Sequence, residues 1–282
     1  MNNFKENISS FTGQKGNEIF YRHLPADKEK ARLVVAHGLG EHSGRYNNIF
    51  DRFVPSGISI WALDFCGHGR SQGKRGHIDA FEQYTLDLKR LVGLSRESAP
   101  DGTKVFLLGH SLGGLIALNY TEQYSDTIDG AIASSPGLGM KVQVPAVKAF
   151  MGKMMSSIWP GLSMGNELDA TKISHDPDVV NAYRDDPLVH DRVTARFFTE
   201  YLSAMEATNE NVSGIGVPVL LQVAGDDHLV NAQTSKVFFE KIAVKDKTLC
   251  FYDSLYHEIY NELPTDRGVV LDDLEAWLKS HA

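Results

Sequence analysis

A serine set between two glycines, Gly109-His110-Ser111-Leu112-Gly113, follows the short apolar run Val105–Leu108 and opens a helical pattern from Gly114 to Tyr120. Strand, sharp turn and helix form the context that a Gly-x-Ser-x-Gly nucleophile elbow needs. Such a turn crowds its neighbours, and glycine at 109 and 113 removes the Cβ atoms that would collide there. The strain presents the Ser111 hydroxyl at the edge of the sheet, where a substrate carbonyl could reach it.

A hydroxyl is a poor nucleophile alone; it needs a general base within hydrogen-bond reach and a third group to orient that base. On elbows of this kind the partners follow the serine in the order acid, then histidine. Of the later histidines, His281 is terminal, His175 and His190 fall within a helical insertion, and His228 lies in the loop assigned to the acid. His257, between the last strand candidate and the final helix, is the expected base. The run Val219–Val223 ends in Ala-Gly-Asp226-Asp227-His228, which puts a carboxylate at the same edge. Asp226 and Asp227 compete for the role, since adjacent side chains point in different directions. The tetrahedral intermediate needs two N–H donors for its oxyanion. One is expected from Leu112, at a helix N-terminus whose dipole favours an anion. The other is expected from Leu39, in the glycine-rich turn His37-Gly38-Leu39-Gly40 that follows an earlier strand. This chemistry requires no cofactor. No His/Cys/Asp grouping has metal-ligand spacing, and no glycine-rich loop carries the lysine of a phosphate cradle.

The elements that must position these groups alternate along the chain. Apolar runs predict strands at Asn17–Tyr21, Leu33–Ala36, Ser59–Leu63, Val105–Leu108, Gly130–Ser134, Pro218–Val223 and Thr248–Tyr252. Helical patterns fall near Gly44–Ser56, Ala80–Ser98, Leu112–Tyr124, Ala232–Ala243 and Asp266–Ser280. The alternation predicts βαβ units and an α/β fold, a mostly parallel sheet covered by helices on both faces. It breaks between about Pro136 and Val212, a stretch with no convincing strand that reads as helices at Val144–Trp159, Pro177–Tyr183 and Asp191–Asn209. The expected organisation is a core of residues 1–136 and 213–282 with a helical cap, 137–212, lying over Ser111 at the carboxyl edge where open α/β sheets bind ligands.

The 282 residues are 42% hydrophobic and 23% charged, with a net charge of −8, which argues against nucleic acid as a partner. Two cysteines make no disulfide framework, the amino terminus lacks a signal-peptide core, and no apolar run spans a bilayer. These features predict a cytoplasmic protein, at times peripheral to membranes.

Several stretches together resemble the monoacylglycerol lipases and the related lysophospholipase group of serine α/β hydrolases. They are His37-Gly-Leu-Gly-Glu-His-Ser-Gly-Arg-Tyr46, Asp64-Phe-Cys-Gly-His-Gly-Arg-Ser71, Gly109-His-Ser-Leu-Gly-Gly114, Tyr183-Arg-Asp-Asp-Pro-Leu188 and the loops of Asp227 and His257, and they span nearly the whole chain. The family's acid is followed after two residues by an apolar one, so the resemblance selects Asp227, with Val230, over Asp226. It implies the α/β-hydrolase fold and ester hydrolysis through an acyl-enzyme. It implies that Glu41 and Arg45 shape the polar end of the site and that Tyr183 lies near the glycerol-binding end. Human-type members carry a second histidine three positions after the catalytic one, where this chain has Tyr260.

The methionines Met140, Met151, Met154, Met155 and Met164 fall within the insertion. With Val144, Val147 and Ile158 several follow helical spacing, and Phe150 and Trp159 widen the apolar surface. Methionine adapts to variable apolar shapes, which suits acyl chains. Met151, Met154, Met155 and Ile158 are therefore expected to bind substrate, and the surface to dock on a micelle or bilayer. The other readings are bland: Glu41 and Arg45 as a buried ion pair, Asp64, His68 and Ser71 as a structural turn, and Asp87 as a solvated or structural carboxylate. A lysophospholipase or general carboxylesterase would use the same triad. An aminopeptidase would need acidic groups in the cap, for which Glu167, Asp169 and Asp176 could serve, and a non-catalytic lipid-binding scaffold would need no triad.

Overall fold

The computed structural model describes residues 4–141 and 146–282, with the side chains of residues 146–151 outside the description. Ten strands and eight α-helices are defined among those residues. The main sheet contains β1 (Asn7–Thr12), β2 (Glu18–Leu24), β3 (Ala31–Ala36), β4 (Ile58–Leu63), β5 (Lys104–His110), β6 (Gly130–Ser134), β9 (Val219–Ala224) and β10 (Lys247–Tyr252). Its order is β1-β2-β4-β3-β5-β6-β9-β10. From β4 to β10 every neighbouring pair is parallel; β1 and β2 add an antiparallel edge.

The central strands are apolar along their whole length, as strands covered on both faces must be. Alternation then deals residues to two cores. Val34, Ala36, Val105 and Leu107 join the cluster under α2 (Glu82–Glu97), α3 (Leu112–Tyr124) and α7 (Ala232–Lys241). Leu33, Val35, Phe106 and Leu108 join the cluster under α1 (Asn47–Phe53) and α8 (Pro264–His281). Each strand and helix predicted from alternation is present, with ends displaced by a few residues. β1 was not predicted. Its sequence, Asn-Ile-Ser-Ser-Phe-Thr, has no period-2 apolar pattern, and Ile8 remains 54% exposed.

Between β6 and β9 the chain leaves the sheet and forms α4 (Ala146–Ile158), β7 (Ser163–Gly165), α5 (Pro177–Asp185), β8 (Arg192–Thr194) and α6 (Ala195–Glu210). The expectation that this stretch holds no strand is corrected here: β7 and β8 pair antiparallel, Ser163 opposite Thr194. Each has three residues, too few to show a period. β8 also takes the start of the helix expected from Asp191, and Thr194 caps α6 instead by accepting from the Phe197 N–H. The segment packs back on the core through α6 on α3.

Candidate active site

Four loops meet at the carboxyl edge of the parallel strands, following β3, β5, β9 and β10. Ser111 follows β5 at φ 54°, ψ −117°, a conformation non-glycine residues rarely adopt. The structure over-determines it, as such strain requires. The Ser111 N–H donates to the Ser134 carbonyl at 3.0 Å, and the Ser111 carbonyl accepts from Leu115 at 3.0 Å and Gly137 at 2.9 Å. A Cβ on Gly109 would come within 2.1 Å of the Gly113 carbonyl oxygen, and one on Gly113 within 2.1 Å of the Ala36 oxygen. Both elbow glycines are thus fixed by close backbone approach.

Asp227 follows β9 and is 1% exposed. Its Oδ1 accepts from the backbone N–H groups of Leu229 (2.8 Å) and Val230 (2.9 Å), and its Oδ2 faces His257 Nδ1 at 2.7 Å. The alternative acid, Asp226, is 54% exposed and pairs with His228 at 3.4 Å. Bonds from Gly225 to the Tyr252 carbonyl and from Asp226 to the Leu255 carbonyl stitch the Asp227 loop to the His257 loop. Burial works against a charged His257, yet the carboxylates of Asp227, Glu258 and Glu41 raise its pKa above the ordinary value. Burial would likewise raise the Asp227 carboxyl, but His257 and the two backbone donors hold it below the ordinary range. The result is an anionic carboxylate beside an imidazole primed to accept a proton.

His110, the second residue of the pentapeptide, lies with its ring centroid 4.8 Å from that of His257, and Ser134 Oγ is 3.1 Å from its Nδ1. Burial and then His257 push its pKa down to about 4, so this neighbour of His257 stays neutral.

The loop expected to hold the oxyanion, 37–42, follows β3. Buried His37 fixes it by donating from Nδ1 to the Gly38 carbonyl (2.7 Å) and accepting at Nε2 from the Phe65 N–H (2.9 Å). Gly38 lies against Ser111: a Cβ there would meet Glu41 Oε1 at 2.8 Å and Ser111 Cβ at 3.3 Å. Gly40 takes φ 74° and accepts from the His190 N–H at 2.8 Å, a bond from the inserted segment. Among the described residues neither the Leu39 nor the Leu112 N–H has a protein acceptor, and Leu112 is the first residue of α3.

Glu41 is buried, and Arg45, its side chain 9% exposed, joins it at 2.8 Å. Glu41 Oε1 also accepts from the Gly38 N–H (2.6 Å) and the Tyr46 hydroxyl (2.8 Å). Arg45 forks onto Glu258, at 2.7 and 2.8 Å, and the Tyr183 ring lies 4.6 Å from the guanidinium carbon. Burial would raise the Glu41 carboxyl; Arg45, more than any other neighbour, brings it down to about 2. The guanidinium offered by the resemblance for substrate contact is therefore occupied by two carboxylates. Glu258 was missed in the sequence, where the only signal was a carboxylate adjoining the expected base.

The other expectations divide. Asp64 accepts from Ser43 and Arg70, and Ser71 Oγ from the Phe20 N–H, which makes that group a structural turn. Tyr260 turns into the core, donating to Gln222 at 2.5 Å. Asp169 and Asp176 cap the starts of short helices, accepting through Oδ1 from the Thr171 and Asp178 N–H groups. Val144 lies outside the described residues, and the side chains of Val147, Phe150 and Met151 are likewise outside them. Met154 and Ile158, expected to bind substrate, are 45% and 72% exposed, and Met155 is half-buried. The reason is the inner face of α4, where Gly152 lies against Phe198 and Ser156 bonds Thr199 at 2.9 Å. Small residues there let α6 approach and leave Met154 and Ile158 outside. Trp159 is 62% and Met164 47% exposed.

A family model described as serine aminopeptidase, S33 (Hydrolase_4) matches residues 27–264. The chain is 33% identical over 274 residues to a monoacylglycerol lipase of Mycolicibacterium smegmatis, covering 96% of each. It is 32% identical over 239 residues to the phospholipase YtpA of Bacillus subtilis, covering 84% of this chain and 91% of that one. The crystal structure of a Paleococcus ferrophilus monoacylglycerol lipase superposes with a TM-score of 0.86 at 36% identity, covering 94% of this chain and all of that one.

Proposed function

The chain belongs to the serine aminopeptidase, S33 (Hydrolase_4) family of serine hydrolases, and from that premise we propose that it hydrolyses monoacylglycerols to fatty acid and glycerol. The observation that carries the reaction class is the 2.7 Å contact of His257 Nδ1 with Asp227 at the edge where Ser111 is held at φ 54°. Ser111 Oγ attacks the ester carbonyl while His257 Nε2 takes its proton. Asp227 fixes the tautomer that leaves Nε2 free and stabilises the imidazolium that forms. The Leu39 and Leu112 N–H groups receive the oxyanion. The carbon–oxygen bond to glycerol then breaks, His257 protonates the leaving alkoxide, and an acyl-enzyme remains. A water that gives its proton to His257 attacks the acyl carbon and releases the fatty acid.

Residues 137–212 act as the cap. Its contacts converge on the oxyanion loop and the turn after it: His190 on Gly40, Asp186 on His42 at 2.9 Å, and Tyr183 on Arg45. The outward stripe of Met154, Ile158, Trp159 and Met164 is apolar surface of the kind that rests on a micelle or a bilayer. Among the described residues no helix is long and apolar enough to cross a membrane, so contact would be peripheral.

The test is labelling by a fluorophosphonate probe together with a hydrolysis panel of monoacylglycerols, diacylglycerols, lysophospholipids and an aminoacyl amide. Labelling lost in Ser111→Ala, with monoacylglycerols turned over fastest, is the expected result. A folded protein that does not label refutes the mechanism. The similarity to a phospholipase favours a second reading, a lysophospholipase with the same triad, which the panel would reveal as faster turnover of lysophospholipids.

A further inference from the structure

Two loops carry the chemistry of this site, and one guanidinium joins them. On one side Arg45 binds Glu41, whose other oxygen accepts the Gly38 N–H at 2.6 Å beside the expected oxyanion donor. On the other side it forks onto Glu258, the residue after His257. The Glu258 backbone is anchored independently by its N–H on the Ile173 carbonyl (2.7 Å) and its side chain by Asn261 (2.9 Å). The Arg45 and Glu258 side chains are 9% and 6% exposed.

Burying three charges is a poor route to stability, because desolvation consumes most of the attraction. A planar fork does provide geometry: two parallel bonds fix direction as well as distance. We propose that Arg45 and Glu258 are positioning residues for ester hydrolysis, a strut that holds the His257 loop and the oxyanion loop in register. The proposal rests on the reading of Ser111, Asp227 and His257 as the triad. It makes Arg45 a strut rather than a substrate ligand, with three of its five N–H donors held by the two carboxylates. A displacement of about 1 Å between nucleophile, base and oxyanion site is enough to cost roughly a hundredfold in rate.

The experiment compares Glu258→Gln, Arg45→Gln and the conservative Arg45→Lys with the parent on a soluble ester, reading kcat and KM separately from pH 5 to 9. The charged and titratable groups facing His257 are Asp227, Glu258, Glu41 and His110. Removing the Glu258 charge favours neutral His257, so the acidic limb of kcat/KM moves to lower pH. Removing Arg45 leaves two carboxylates uncompensated, so in Arg45→Gln that limb moves to higher pH. In both, kcat falls roughly tenfold to a hundredfold with KM nearly unchanged, and Arg45→Lys, which keeps the charge and loses the fork, falls between them and the parent. Opposite shifts from two halves of one ion pair are not what general loosening of the fold would produce. A rise in KM alone would make Arg45 a substrate ligand and overturn the proposal, as would parental kcat in any of the three. Should the glutamine variants fail to fold, Arg45→Lys decides by its kcat. Loss of probe labelling in the parent would sink the triad reading instead.

Discussion

Replacing Asp227 by Asn tests the mechanism at the point where the geometry is most constrained. Oδ1 of Asp227 accepts two backbone N–H groups, from Leu229 and Val230, and Oδ2 faces His257. An asparagine must keep its oxygen on the two backbone donors, since turning its amide toward them would oppose donor to donor twice. The NH₂ group then faces His257 Nδ1 and forces that nitrogen to accept. The proton moves to Nε2, and the base can no longer take the Ser111 proton. Loss of the correct tautomer lowers kcat by about 10⁴-fold in triads of this type, or about 5.4 kcal/mol of transition-state stabilisation. Packing changes little, because the two side chains are isosteric and the site is 1% exposed. The assay is kcat on a soluble ester, with circular dichroism to show that the fold persists. The matched control is Asp226→Asn, at an exposed carboxylate, which should retain activity within about twofold. Activity of Asp227→Asn within tenfold of the parent, or an equal loss in the control, would refute the assignment.

Three further outcomes are expected. Asp87 is 1% exposed, its Oδ2 has no partner, and burial pushes its carboxyl from 3.8 up to about 6. The folded state thus holds this proton more tightly than the unfolded chain, and stability is lost as pH rises from 3.8 through about 6. Asp87→Asn should therefore gain roughly 1–3 kcal/mol at pH 8 and little at pH 4, by denaturant melts. Gly38→Ala would drive a Cβ into Glu41 Oε1 and against Ser111, so kcat should fall roughly 10²–10³-fold with the fold intact by circular dichroism. Met154→Glu with Ile158→Glu should weaken sedimentation with lipid vesicles by tenfold or more while leaving turnover of a monomeric ester within about twofold.

The sequence by itself determined the elements and the cast. Runs such as Leu33-Val-Val-Ala36 and Val105-Phe-Leu-Leu108, alternating with helical patterns, mark strands buried on both faces, and glycines at 109 and 113 define an elbow because no other residue tolerates such close backbone approach. Loop position after a strand was enough to nominate His257 and Leu39, since the carboxyl edge of a parallel sheet gathers its loops. Local pattern did not reach β1, which is too exposed to carry a period, or β7 and β8, which are too short for one. Nor could it orient α4: an apolar stripe marks a face, but the small residues Gly152 and Ser156 decided which face met α6 and turned Met154 and Ile158 outward. Only the tertiary structure decided between Asp226 and Asp227 by geometry, because one residue of register is half a turn of the chain and only one carboxylate meets the ring. It alone joined Arg45 to Glu258, 213 residues apart, since an ion pair is a matter of distance in space and leaves no mark of its partner in sequence.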